Sequence, residues 1–251
     1  MSDESSQHPA RQDGPYGAPA TVDRSTWQAR IDALRAREKA HTREGDAIAA
    51  ARRRLPMVEV DADTPLIGPG GPVTLLDTFE GRDRLIAYFH MWHTGKGASG
   101  QCEGCTFGNG QVRELAYLNA CGVTYTTFCQ GPYAESARYR DFMGWDVPWY
   151  SVQDSIAALR AGRIAPFMLV CYLRRGERVF ETYWTTGRGT EPMAPTFALL
   201  DMTVYGRGET WEDSPAGWPQ PAEYCHAWRT DGRPTAQWSR LRAGRSDDLG
   251  A

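Results

Sequence analysis

The sequence predicts an α/β fold in which helices flank a mixed sheet. Apolar runs alternate with helical patterns between residues 84 and 150, and two more apolar runs follow across a glycine turn. A strand–helix–strand unit places its two strands in parallel, whereas a tight turn adds an antiparallel pair. Four strands in one sheet are therefore expected, at about residues 85–90, 123–128, 167–173 and 178–183.

Composition narrows the class of protein. The chain has 251 residues, a formal net charge of −3 and 41% hydrophobic residues, which allow a sizeable core. No basic stripe indicates nucleic-acid binding, and no apolar run reaches the roughly 20 residues of a membrane span. The first 20 residues lack the apolar core of a signal peptide. A cytoplasmic location is therefore predicted, where thiols stay reduced and six cysteines are not a disulfide scaffold.

Composition also divides the chain into four predicted parts. Residues 1–22 are rich in Pro, Gly, Ser and Ala, which is typical of a disordered tail. Residues 23–56 are predicted to form a helical arm. Residues 57–215 hold the sheet and its helices, and residues 216–251 form a C-terminal extension.

The helical arm has recognisable start and stop signals. Ser25 and Gln28 have the spacing of a capping box, Gly45 is expected to interrupt the helix, and Pro56 to end it. A lone helix of this length is marginal in water, so its apolar face should dock on this domain or on a second copy of the chain. That face carries Trp27, Ile31 and Leu34.

The segments after the arm supply the elements of the sheet. "MVEVDADTPLIGPGGPVTLLDTFEG" (57–81) predicts a short hairpin, and "RLIAYFHMW" (84–92) a buried strand. The helix expected next, "EGCTFGNGQVRELAYLNACG" (103–122), is followed by the β-branched strand "VTYTTFC" (123–129). The remaining elements are the helix "PYAESARYRDFMG" (132–144), the return segment "WDVPWYSV" and the two strands of "APFMLVCYLRRGERVFETYW" (165–184).

A Cys-x-x-Cys pair, Cys102 and Cys105, lies between the first long strand and the helix that follows it. The partial positive charge of a helix N-terminus stabilises a thiolate and lowers its pKa. Two intervening residues let the second sulfur reach the first. Cys102 is therefore predicted to attack a disulfide, and Cys105 to resolve the mixed disulfide.

Several stretches together resemble the thioredoxin-like family of domain of unknown function 899. They are "RRRLPMVEVD", "GPVTLLDTFEGRDRLIAYFHMW", "CEGCTF", "FMGWDVPWYSV" and "RVFETYWTTGRGTEPMAPTFALLDMTVYGRGE", spread over roughly residues 25–215. The resemblance implies a thioredoxin fold with an N-terminal helical arm, but no established activity. In working thioredoxins a tryptophan precedes the first cysteine and Gly-Pro separates the pair, whereas this chain has Gln101 and Glu103-Gly104.

Pro166 directly precedes a predicted buried strand. In thioredoxin-like proteins a cis proline at this place faces the cysteine pair, and its neighbours hold the substrate backbone. The resemblance therefore implies a cis Ala165–Pro166 bond and a substrate-binding role for Ala165 and Pro166, although most X–Pro bonds are trans.

Zinc binding is the alternative function. His90, His93, Cys102 and Cys105 are the ligand types of a Cys₂His₂ site. Against it, two strand residues three apart point to opposite faces, so the chain would have to bend at Trp92. In that case the protein is a non-catalytic thioredoxin-fold protein that binds zinc or a partner.

Two further expectations concern ligands. If the cysteine pair is redox-active, its partner is a thiol or disulfide, either a small molecule or a protein, and no cofactor is required. "TTGRG" (185–189) is a candidate anion-binding turn through Arg188, although one arginine beside glycines is usually only a loop.

Overall fold

A mixed sheet lies at the centre of the fold. The computed structural model describes residues 16–219 and 228–249. Within these ranges the main sheet has eight strands, in the spatial order first, eighth, seventh, fourth, fifth, sixth, second, third. In chain order they are β1 (Val58–Val60), β2 (Pro65–Gly68), β3 (Gly71–Thr74), β4 (Arg84–His90), β5 (Val123–Cys129), β6 (Trp149–Ser151), β7 (Met168–Arg175) and β8 (Arg178–Thr185).

Helices and a small second sheet complete the described fold. The helices are α1 (Arg24–Arg52), α2 (Glu103–Asn109), α3 (Ala116–Ala120), α4 (Tyr133–Met143), α5 (Ile156–Arg160), α6 (Pro195–Asp201) and α7 (Thr235–Arg242). The two-stranded sheet pairs β9 (Arg229–Thr230) with β10 (Arg233–Pro234). Short 3-10 segments occupy Asp77–Phe79, Ala98–Gly100, Gln153–Ser155 and Gly187–Met193.

The pairing of β4 confirms the predicted topology. On one side β4 is parallel to β5 along its whole length, and on the other it is antiparallel to β7, which continues into β8. The four strands expected from the sequence thus share one sheet. A central strand with a parallel crossover on one side and an antiparallel hairpin on the other gives the thioredoxin-like arrangement.

Side chains of β4 alternate between two apolar cores. Leu85, Ala87 and Phe89 pack on one face of the sheet, in the cluster that includes Phe128. Tyr88 packs on the other face, in the cluster that contains Cys105. This division follows from the two-residue period of a strand, and it places the cysteine pair against the aromatic cluster under α2 and α4.

The N-terminal arm differs from its prediction in two ways. The side chain of Asp23, not Ser25, accepts the capping hydrogen bond, from the Thr26 backbone N–H at 2.9 Å. The helix also runs through Gly45 without a break, because one glycine costs only about 1 kcal/mol in a long helix. The helix ends at Arg52, three residues before Leu55, which is the residue that precedes Pro56.

The apolar stripe of the arm is not buried in a single chain. No residue of α1 is buried, and Trp27 and Leu34 are 44% and 45% exposed. Docking of this stripe on its own domain is therefore not observed, and docking on a second copy stays a prediction. No helix in the described part of the chain is long and apolar enough to span a membrane.

The helix expected over residues 103–122 is two short helices. α2 ends at Asn109 and is capped by Gly110, and α3 begins only at Ala116. The first half has a low helix propensity because it contains Gly104, Gly108 and Gly110. Residues 110–115, between the two helices, are not helical.

The two chain ends are the predicted N-terminal tail and C-terminal extension. Residues 1–15 of the predicted tail lie outside the described residues, while the Gly17 backbone N–H donates to the Gly217 carbonyl at 2.7 Å. In the C-terminal extension residues 220–227, 250 and 251 are likewise outside. In the described remainder, α7 packs against α2 and α4, and β10 packs against α2.

Candidate thiol site

Cys102 ends the loop after β4 and caps α2. Its Sγ accepts a hydrogen bond from the backbone N–H of Cys105 at 3.3 Å, so the two cysteines lie within one helical turn. Cys102 is half-buried, whereas Cys105 is 1% exposed. The Cys105 sulfur faces the core and accepts from the Met91 backbone N–H at 3.4 Å. The pair thus has one accessible and one enclosed sulfur.

The pKa values of the two thiols move in opposite directions. The hydrogen bond with Cys105 lowers the pKa of Cys102, helped by backbone N–H groups and opposed by burial and by the Glu103 charge. Burial raises the pKa of Cys105 well above its usual range, and the neighbouring Cys102 raises it further. The accessible sulfur is therefore the one that more readily becomes a thiolate.

Gln101 organises the loop that carries Cys102. Its side chain is fully buried; Nε2 donates to the carbonyls of His93 at 3.1 Å and Lys96 at 2.8 Å, and Oε1 accepts from the His93 backbone N–H at 3.1 Å. These bonds tie the loop back on itself. Gln101 stands where thioredoxins have a tryptophan, and here it supplies hydrogen bonds that hold the residue before Cys102 in place.

Arg229 approaches the cysteine pair from the C-terminal extension. Its Nε donates to Glu103 Oε2 at 3.2 Å, and its Nη atoms donate to the carbonyls of Ser99 and Gln101 at 2.9 Å. The Arg229 guanidinium therefore binds the carboxylate between the cysteines and two backbone carbonyls of the loop before them. Sequence reasoning missed Arg229, because no local pattern places it near Glu103.

The prediction for Pro166 is wrong in its geometry. The Ala165–Pro166 bond is trans, which is the lower-energy form of an X–Pro bond. The Pro166 carbonyl accepts a hydrogen bond from Gln130 Nε2 at 2.7 Å. Ala165 and Pro166 do not line the cavity beside Cys102, although Phe167, the next residue, does. Their substrate-binding role stays a prediction.

The structure does not bring the four proposed zinc ligands together. His90 is fully buried among aromatic rings, and its Nδ1 lies 2.6 Å from the Met91 carbonyl oxygen. His93 is exposed on the loop. Among the described residues, which include all four, no three His, Cys, Asp or Glu side chains are placed to hold a metal. The zinc arrangement is thus corrected: the chain turns between His90 and His93 without directing both side chains at the cysteines.

A cavity of about 270 Å³ opens beside the cysteine pair. Cys102 and Cys105 line it, together with residues from four other parts of the chain. Half of its lining residues come from residues 187–211, which sequence reasoning left without a role except for Arg188. The wall includes the aromatic residues Phe107, Phe167, Phe197, Trp211 and Trp228, and the charged residues Glu103, Arg188, Glu191, Arg207 and Glu209.

The fold class of this protein is thioredoxin-like. A Cys-x-x-Cys pair follows the central strand of its sheet. The family described as "Bacterial protein of unknown function (DUF899)" matches residues 16–233, and the chain belongs to that family. Comparison with curated proteins gives no match.

Comparison with solved structures gives weak similarities. One is to a putative thiol:disulfide interchange protein DsbE from Chlorobium tepidum, at 13% identity and a TM-score of 0.37, over 55% of this chain and 94% of that one. Another is to a cysteine-to-serine mutant of Xanthomonas campestris peroxiredoxin Q, at 15% identity and a TM-score of 0.38, over 57% and 96%. An uncharacterised conserved protein from Geobacillus kaustophilus matches at 13% identity and a TM-score of 0.36, over 68% and 92%. The chemistry of the site therefore rests on its own side chains.

Proposed function

We propose that the protein is a thiol–disulfide oxidoreductase in which Cys102 attacks and Cys105 resolves. The observation that carries this proposal is the asymmetry of the pair. Cys102 faces a cavity and has a lowered pKa, whereas Cys105 is enclosed one turn inside the helix and has a raised pKa. An attacking thiol has to be ionised and reachable, and a resolving thiol has only to reach its partner.

The reaction transfers two electrons from the thiol pair to a substrate disulfide. The Cys102 thiolate attacks one substrate sulfur, the substrate S–S bond breaks, and the first substrate thiolate leaves. The Cys105 sulfur then loses its proton and attacks the Cys102 sulfur, which releases the second substrate thiolate and forms the Cys102–Cys105 disulfide. The two protons of the protein thiols end on the two substrate thiols.

The raised pKa of Cys105 has a consequence for the second step. Part of the rise comes from the neighbouring Cys102 charge, which disappears when Cys102 enters a mixed disulfide. The Cys105 proton is thus easier to remove after the first step than before it. A reducing compartment such as the predicted cytoplasm would keep the pair as thiols between turnovers.

The alternative is a non-catalytic protein that binds a partner at this surface. Zinc as the ligand of that alternative is disfavoured, because in the described part of the chain His90, His93 and the two cysteines do not form a group that could hold a metal ion. The cavity beside Cys102 favours the enzyme, since a partly exposed thiol at a concave site meets a substrate more readily than a thiol packed in a core.

Trapping tests the proposal. Cys105→Ser protein, mixed with a small disulfide, is expected to accumulate a mixed disulfide at Cys102, measured by intact-protein mass spectrometry. Cys102→Ser protein is the matched control and is expected to accumulate none, because Cys105 is buried. If both cysteines of the folded wild-type protein react only after denaturation, and no Cys102–Cys105 disulfide forms under mild oxidation, the pair is structural and the proposal is wrong.

A further inference from the structure

The cavity beside Cys102 is small and mostly apolar, and part of its wall is aromatic. Its volume of about 270 Å³ is near the lower limit of cavities that bind small molecules, which is about 300 Å³. The ring of Phe107 stacks on Trp228 with centroids 5.7 Å apart, and Phe197 lies 4.9 Å from Phe107. A wall of this kind accepts the apolar part of a small ligand but not the folded surface of a protein.

A buried carboxylate lines this cavity. Glu209 is 3% exposed, and its Oε2 has no hydrogen-bond partner among the described residues. A buried carboxylate oxygen without a donor is energetically costly, and a donor or cation on a ligand would satisfy it. The cysteine chemistry proposed above does not use Glu209.

The neighbouring arginine Arg207 does not supply that donor. Its guanidinium is 6% exposed and is occupied by Asp201, at 2.6 and 2.7 Å, and by Glu191, at 3.0 and 3.1 Å. It also lies over the ring of Phe197, 4.4 Å from the centroid. Arg207 is thus a fixed part of the wall, and no ion pair joins it to Glu209 within the described chain.

Arg188 offers the opposite charge at the mouth of the same cavity. Its side chain is 62% exposed, and its Nε donates to Glu191 at 2.8 Å. Its guanidinium lies over the Trp211 ring, 4.0 Å from the centroid. No hydrogen bond of its two Nη atoms is found in the described residues, so these N–H groups can bind a carboxylate.

We infer that the cavity binds a small zwitterionic disulfide of the amino-acid or short-peptide type, with its ammonium group on Glu209 and its carboxylate on Arg188. This inference rests on the proposed function, because Cys102 lies in the same cavity and would attack the bound disulfide. The deep carboxylate and the exposed guanidinium set the direction of the ligand. The aromatic wall contacts the carbon and sulfur atoms of the bound disulfide. The products of the reaction are the oxidised protein and two molecules of substrate thiol.

Four disulfides that differ in charge test this inference. L-Cystine is zwitterionic, cystamine cationic, dithiodipropionate anionic and hydroxyethyl disulfide uncharged. The rate at which each oxidises the reduced protein is measured for wild type, Glu209→Gln and Arg188→Gln, and the variant is compared with wild type for the same disulfide. The ratio of the variant rate to the wild-type rate cancels the intrinsic reactivity of each disulfide.

Glu209→Gln is expected to slow cystine and cystamine by about tenfold, the usual effect of one charged hydrogen bond. Arg188→Gln is expected to slow cystine and dithiodipropionate to a similar extent. Hydroxyethyl disulfide should react equally with all three proteins. Glu177→Gln, in the turn between β7 and β8, and Arg175→Gln, at the end of β7, lie away from the cavity; they are matched controls and should leave all four rates unchanged.

The outcomes separate the inference from the proposed function. If a variant slows all four disulfides equally, it acts on the thiol and not on the ligand, and the inference is wrong while the oxidoreductase stands. If no disulfide oxidises the protein, the oxidoreductase is wrong. In that case binding of cystine to the Cys102→Ser protein, measured by isothermal titration calorimetry, still decides the inference: weaker binding in Glu209→Gln supports it, and no binding or unchanged binding overturns it.

Discussion

Arg229 binds Glu103, the carboxylate that separates the two cysteines, at 3.2 Å and across 126 residues of sequence. Glu103 raises the pKa of Cys102 by charge repulsion. A guanidinium that pairs with this carboxylate partly offsets its field. The C-terminal extension therefore contributes to the electrostatics of the thiol site.

Replacing Arg229 should make Cys102 a weaker acid. In Arg229→Gln the Glu103 charge is unopposed, so we expect a higher pKa of Cys102 and a smaller thiolate fraction at neutral pH. Glu103→Gln should shift the pKa down, since it removes the repelling charge. The pH dependence of Cys102 alkylation in a Cys105→Ser background measures both. Equal profiles for Arg229→Gln and the parent protein would show that Arg229 has no electrostatic role.

His90 should make stability depend on pH in the acid range. Burial lowers its pKa from 6.5 to about 4, so the folded protein keeps this ring neutral. Between these pH values the unfolded chain binds a proton that the folded chain does not, and stability is lost as the pH falls through this window. The loss from pH 7 to pH 4 should be on the order of 3 kcal/mol.

Urea unfolding at a series of pH values checks this prediction. His90→Asn should flatten the slope between pH 4 and 6.5, whatever its effect on absolute stability. His41→Asn is the matched control, because His41 is exposed on the arm. A slope that is the same in His90→Asn and wild type would contradict the prediction.

Gln237 links the C-terminal helix to the loop before Cys102. Its buried Nε2 donates to the Ala98 carbonyl at 2.8 Å and to the Tyr139 hydroxyl at 2.7 Å, and this hydroxyl also bonds Thr106 Oγ1 at 2.6 Å. Gln237→Leu leaves buried acceptors without a donor and should lower the free energy of unfolding by about 1 to 3 kcal/mol. Ser239→Ala, exposed on the same helix, should change it far less. Urea midpoints at constant m-value give both numbers, and equal midpoints would refute the linking role.

The exposed stripe of the arm makes a prediction about assembly. If Trp27 and Leu34 contact a second copy, Trp27→Ser with Leu34→Ser should dissociate the oligomer without lowering the stability of the sheet domain, since neither residue is buried in one chain. Arg37→Ser on the same helix is the control. Sedimentation velocity measures the change, and a wild-type chain that sediments as a monomer would end the docking hypothesis.

The two thiols of the candidate site could be found from the sequence, but the residues that surround them in the folded chain could not. Cys102 and Cys105 are only three positions apart in the chain, and the apolar run before them predicts where the strand ends. The zinc and cis-proline arguments failed because they needed the side-chain directions of His90 and the conformation of one X–Pro bond. Neither is set by residue type alone.

The sequence by itself determined the four central strands and the alternation of strands with helical segments. These features depend on periodicities of two and 3.6 residues and on glycines at turns, which are local properties. Only the tertiary structure decided that Arg229 pairs with Glu103 and that Glu209 and Arg188 line the cavity of Cys102. The physical reason is that these contacts join residues about 85 to 130 positions apart, and their geometry follows from how whole elements pack and not from any pattern near each residue.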